Sequence, residues 1–256
     1  MRQHFEIKEF LDEKATFYNQ PSFIQTDPIQ IPKKFSEKEN IEIAGFLAAT
    51  LAWGQRKTII KNAADLTARM GNQPFNYIID ADEKDLYIFD DFKHRTFNGE
   101  DCKFFILSLK NIYRNHGGLE KVFTTGFRQE GSVKSALAYF YSVFFEIEGL
   151  QRTRKHVPNV NTGSSAKRLN MFLRWMARKD KAGVDFGIWE GIPQAALMLP
   201  LDVHTGNLAR KLGLLERRQN DWKAVEEVTA RLRELDPADP VKYDFALFGL
   251  GAFEKF

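Results

Sequence analysis

Two charged residues stand where a helix begins. Asp202 lies in "LPLDVHTGNLARKLGLL" (199–215), directly ahead of a run in which Leu208, Leu212 and Leu215 share one helical face. Aspartate is a favoured N-cap because its carboxylate accepts backbone N–H groups left free at the helix start. The same helix dipole keeps such a group ionised, so a fixed anion there suits the stabilisation of a developing cation. Lys167 lies in "NTGSSAKRLN" (161–170), where a Gly-Ser-Ser turn precedes a helix beginning near Ala166. The amides of Gly163, Ser164 and Ser165 in such a turn form a nest suited to a phosphate. In the first helical turn, the dipole and neighbouring Arg168 disfavour an ammonium, which makes Lys167 a candidate amine nucleophile. Each residue also has a plain reading, a helix cap and a solvent-facing lysine. Other chemistries find little support. The five histidines include no i, i+4 pair and no HExxH, so no metal site is expected. No phosphate-binding loop, dinucleotide fingerprint or Gly-x-Ser-x-Gly elbow appears, and nothing around Cys102 marks it as a nucleophile.

The elements that must position these residues read as helices throughout. Periodicity predicts helices over 4–18, 38–52, 55–71, 100–118, 132–149, 164–180, 203–215, 221–235 and 239–251. Caps are expected at Ser36 (with Glu39 completing a capping box), Ser132, Asp221 and Asp239, and stops at Gly71 and Gly149. Three prolines mark 19–36 as irregular. Without a convincing sheet, the chain is expected to be all-α.

Composition bounds the setting. At 256 residues, 43% hydrophobic and 28% charged, the chain has the profile of an ordinary soluble protein. One cysteine excludes an internal disulfide framework and a cysteine-ligated cluster, and no apolar leader or spanning segment is visible, so a cytoplasmic protein without a membrane partner is expected. Charge is unevenly placed. Residues 151–181 hold nine Lys/Arg and one acid, a local +8, so within a total of +3 the rest of the chain sums to −5. Such a segment is either a nucleic-acid contact surface or a solvated basic face.

The combination of motifs resembles the helix-hairpin-helix DNA glycosylases of the endonuclease III superfamily. There a Gly-x-Gly-x-Lys hairpin leads one helix and a Val-Asp-x-His segment opens another. Gly163 matches the first hairpin glycine, Lys167 the Schiff-base lysine, Asp202 the catalytic aspartate and His204 the histidine two positions on. "FLAATLAWGQRKTIIKNA" (46–63) resembles the early helix and turn of that superfamily, with Gln55 at the glutamine that enters the DNA stack, followed by Arg56 and Lys57. "YDFALFGLG" (243–251) resembles its closing helix. Two features depart from the pattern. Ser165 replaces the second hairpin glycine, and Lys167 and Asp202 lie 35 positions apart. The longer separation, without an iron–sulfur cluster, is closer to the archaeal 8-oxoguanine glycosylase branch.

The resemblance implies a two-lobed all-α glycosylase fold without a cofactor. One lobe would be a helical barrel over 37–200 carrying the hairpin; the other would combine 1–36 with 201–256 and present Asp202 to Lys167. It further implies a bifunctional DNA glycosylase/AP lyase acting on duplex DNA with an 8-oxoguanine-type base or an abasic site. Gln55, Arg56, Lys57, Gly163, Ser164, Ser165, Arg168 and His204 would contact DNA. Trp53, Trp175 and Trp189 are either stacking partners for an extruded base or, more simply, core. A non-catalytic binder of nucleic-acid structures on the same fold is the alternative, and an enzyme acting on another N-glycosidic substrate is a third reading.

Overall fold

Helical periodicity dominates the chain, and a computed structural model describing residues 2–254 turns it into twelve α-helices. They are α1 (Arg2–Tyr18), α2 (Pro21–Ile24), α3 (Lys38–Thr50), α4 (Arg56–Arg69), α5 (Pro74–Asp80) and α6 (Gly99–Asn115). After these come α7 (Leu119–Glu130), α8 (Val133–Phe144), α9 (Lys167–Ala177), α10 (Val203–Lys211), α11 (Trp222–Leu235) and α12 (Tyr243–Gly249). Among the described residues the sheet is a single antiparallel ladder, β1 (Lys93–His94) with β2 (Phe97–Asn98), in which His94 faces Phe97. The protein is all-α. None of its described helices is long and apolar enough to cross a membrane.

Local chemistry accounts for the helix ends, with some departures from expectation. Ser132 caps α8 by accepting from the Ser135 amide, and Asp221 caps α11 by accepting from Ala224 N at 3.1 Å. Asn98 and Asp101 form a reciprocal capping box at the start of α6. At α3 the cap position is Glu37 rather than Ser36, and no side chain makes the capping bond. The prolines of 19–36 open helical turns instead of dissolving structure: Pro21 starts α2, and Pro28 and Pro32 each start a 3-10 turn. A fixed φ and a missing N–H suit proline to that position. Pro240 likewise opens a 3-10 turn ahead of α12, and Asp239 makes no capping bond there.

The chain divides into two compact units, Met1–Gln25 with Asn159–Phe256, and Thr26–Pro158. These boundaries fall earlier than the expected lobe limits at 36/37 and 200/201. The hairpin, Lys167 and Asp202 therefore belong to one unit. Phenylalanines fill the core of the Thr26–Pro158 unit: Phe46 of α3 meets Phe105 of α6 at 5.9 Å and Phe140 of α8 at 5.4 Å, and Phe123 of α7 stacks on Phe140 at 4.4 Å. Helix α7 crosses α8 at Gly126, where a Cβ would lie 2.6 Å from Tyr139 Cβ and 2.9 Å from Ala136 Cα. In the other unit α1 lies against α12, with Gly249 under the Tyr18 ring. Helix α9 is its central element, burying Leu169, Phe172, Leu173, Trp175 and Met176. Each full burial of such an apolar side chain contributes about 1.5–3 kcal/mol.

Candidate functional site

The turn 159–166 sets the position of Lys167. Gly163 closes a short 3-10 turn in the left-handed region at φ +87°, with open space where a side chain would stand. Its carbonyl accepts from Trp222 N at 3.0 Å, and Ser164 pairs with Asp221, so the hairpin is tied to the start of α11. Ala166 is left-handed as well, at φ +48°. Two of the three amides expected to receive an anion, and that of Ala166 beside them, are spent within the turn. Gly163 N donates to Val160 O, Ser164 N to Asn159 O at 3.3 Å, and Ala166 N to Ser164 Oγ at 3.2 Å. Asn170 Nδ2 holds the Ser165 carbonyl at 3.1 Å. The nest is thus narrower than the sequence suggests and centres on the first turn of α9. There Arg168 is partly buried, and burial pulls its guanidinium down to about 10.

Asp202 is the N-cap of α10. Its Oδ1 accepts from Thr205 N at 3.0 Å, and its backbone carbonyl accepts from Gly206 N at 2.8 Å and from Asn220 Nδ2 at 3.2 Å. The second carboxylate oxygen stands 3.9 Å from Lys167 Nζ, with both side chains about a quarter to a third exposed. Two helix starts, 35 positions apart, therefore bring an amine and a carboxylate together. His204, two residues on, is exposed beside the chain's final turn, its Cβ 3.8 Å from where a Cβ on Gly251 would stand. Gln55, Arg56 and Lys57 lie in the other unit at the start of α4. Gln55 is its N-cap without a side-chain capping bond; Gln55 and Lys57 are exposed, and Arg56 is half-buried.

Beneath the pair lies a cluster missing from the sequence reading. Arg174 and Arg178 are almost wholly buried, which removes two of the nine cations of 151–181 from any phosphate-facing surface. Arg174 Nε reaches Asp185 at 3.2 Å, and its Nη1 pairs with Asp244 of α12. Arg178 bonds Asp185 at 3.0 Å, Asp239 at 2.9 Å and Asp180 at 2.6 Å. Both guanidinium groups lie over the Phe245 ring, at 4.4 and 5.4 Å. Burial pushes the Asp244 carboxyl up to about 6 against the attraction of Arg174, and the charges of Lys167 and Asp202 act on it in opposite senses. No local signal marks the cluster, because Asn170 and Arg178, four residues to either side, continue the face of Arg174 as a polar stripe that reads as solvated. Trp175 and Trp189 are buried in this unit, with Trp189 edge-on to Phe172 at 5.3 Å, so both are core; Trp53 is half-buried. Among the described residues no group of His, Cys, Asp or Glu gathers that could hold a metal ion.

A predominantly helical, all-α chain of two units, with a lysine and an aspartate facing each other from two helix starts, is the class that fold and geometry define. No curated protein and no solved structure matches the chain. Residues 27–253 match a family described as a protein of unknown function, DUF2400, and the chain belongs to that family.

Proposed function

We propose that this protein is a bifunctional DNA glycosylase/AP lyase on a two-lobed helix-hairpin-helix fold, excising an 8-oxoguanine-type base from duplex DNA in the cytoplasm. The observation that carries the reading is the 3.9 Å approach of Lys167 Nζ to Asp202, at the two positions the superfamily resemblance assigns to nucleophile and aspartate. In this reading the Lys167 amine, its extra proton passed to Asp202, attacks C1′ while the C1′–N bond breaks, and the base departs with the bonding electrons and takes up a proton from solvent. Asp202 stabilises the oxocarbenium-like charge and stands where it can accept a proton from the amine. Ring opening then gives a Schiff base, and loss of the C2′ proton expels the 3′ phosphate by β-elimination. The target nucleotide must leave the stack to reach Lys167. Arg168 and the first turn of α9 would hold the phosphate beside it.

Borohydride trapping on duplexes carrying 8-oxoguanine or an abasic site tests the mechanism. Wild type is expected to form a covalent adduct and Lys167→Gln none; an undiminished adduct in the variant would sink it. One observation favours the non-catalytic reading: Lys167 and Asp202 also satisfy each other as a simple ion pair. Salt-sensitive duplex binding without any trapped adduct in wild type would select a nucleic-acid-structure-binding protein instead.

A further inference from the structure

A second built cation stands in the Thr26–Pro158 unit, beside the turn that leads into α4. The Arg95 guanidinium lies over the Trp53 ring at 4.7 Å. Arg95 occupies the turn between β1 and β2 in the left-handed region, at φ +56°, a conformation that costs a side-chain-bearing residue on the order of 1 kcal/mol. Gly54 clears its path: at φ +112° it lacks a Cβ that would lie 3.0 Å from Arg95 Nη1. The platform is braced from below. Buried His94 meets Trp53 edge-on at 5.8 Å; its Nε2 is 3.1 Å from the Trp53 carbonyl oxygen and its Nδ1 2.9 Å from Asn62 Nδ2. That pattern fits a ring that donates from Nε2 and accepts at Nδ1.

Among the described residues Arg95 makes neither a side-chain hydrogen bond nor an ion pair, and it is exposed. The indole occupies one face of the guanidinium and leaves its in-plane N–H fork unspent. A guanidinium held in place with open donors matches the two oxygens of a phosphate better than any neutral partner. Exposed Lys93 and Lys57 adjoin the turn in sequence, so the local field also favours an anion.

We infer that Trp53, Gly54 and Arg95 form a phosphodiester-binding element for the nucleic-acid backbone, separate from the Lys167 hairpin. The inference rests on the reading that this chain binds nucleic acid. It is tested with full-length protein and a fluorescently labelled duplex, by anisotropy across a range of salt, with helical circular dichroism as the check on folding. Arg95→Gln is expected to bind roughly tenfold more weakly, the loss of one charge-assisted contact. Its slope of log K against log salt should become shallower by about 1, one phosphate fewer. Arg95→Lys should keep most of the slope and lose part of the affinity, because the charge remains without the fork. Lys134→Gln, an exposed lysine of α8, should match wild type. A slope and affinity unchanged in Arg95→Gln, or lowered equally in Lys134→Gln, would overturn the element while leaving duplex binding intact. Wild type that fails to bind, or binds with no salt dependence, would overturn the nucleic-acid reading along with it.

Discussion

At the start of α9, Lys167 stands partly exposed with a single carboxylate 3.9 Å away. About two and three turns further along the chain, Arg174 and Arg178 are 3% and 2% exposed and share Asp180, Asp185, Asp239 and Asp244 between them. The sequence treats these cations alike, as members of one basic run. Their surroundings give them opposite work. A loosely paired amine near solvent can exchange its partner for a substrate at little cost, since exposed pairs contribute only about 0–1 kcal/mol. A buried guanidinium cannot, because removing it would strand several carboxylates in a low dielectric. The difference teaches that charge density along a chain is a poor guide to a binding surface until burial is known.

That contrast can be broken, starting from its strongest side. Arg178→Ala should destabilise the folded state by about 3–5 kcal/mol, because Asp185 and Asp239 lose their partner in the interior; urea unfolding measures it, and a loss below about 1 kcal/mol would mean the cluster is wetter than its geometry. Asp244 sharpens the contrast through pH. Its folded-state carboxyl titrates near 6 against 3.8 in the unfolded chain, so its contribution to stability is fully present below pH 3.8 and is lost as pH rises through 6. A shift of that size corresponds to about 3 kcal/mol. The stability of wild type relative to Asp244→Asn should therefore fall by about that amount between pH 3 and pH 7, and a flat difference would contradict the burial that raises the group. Next in size, Asp202→Ala should cost about 1 kcal/mol of stability through the lost cap, with thermal unfolding as the readout. Asp202→Asn, which retains a capping oxygen, should recover most of that stability without recovering the trapped adduct. The smallest expected effect is on the accessible side: Lys167→Gln should change stability by no more than about 1 kcal/mol while abolishing the adduct. A large loss of stability in that variant would place Lys167 with the buried cations.

Most helices, and several of their ends, were legible because caps and stops are local chemistry: Ser132, Asp202 and Asp221 accept the N–H groups that any helix start leaves open. Helices α2, α5 and α7 were not anticipated. Helix α7 carries Thr124, Thr125 and Gly126, weak helix formers whose place is decided by close packing against α8. The β1–β2 ladder, two residues on each strand, is too short to show a period.

The candidate site divides the same way. By itself the sequence determined that Asp202 caps a helix and that Lys167 opens another, because both follow from turn and cap chemistry within a few residues. It also determined a predominantly helical chain. Only the tertiary structure decided that these two helix starts meet at 3.9 Å, that the hairpin spends much of its own nest, and that Arg174 and Arg178 face inward. The physical reason is range: capping and periodicity act between neighbours in the chain, whereas the pairing of charges across 35 or 70 positions depends on how the apolar faces of α9, α10 and α12 are buried together.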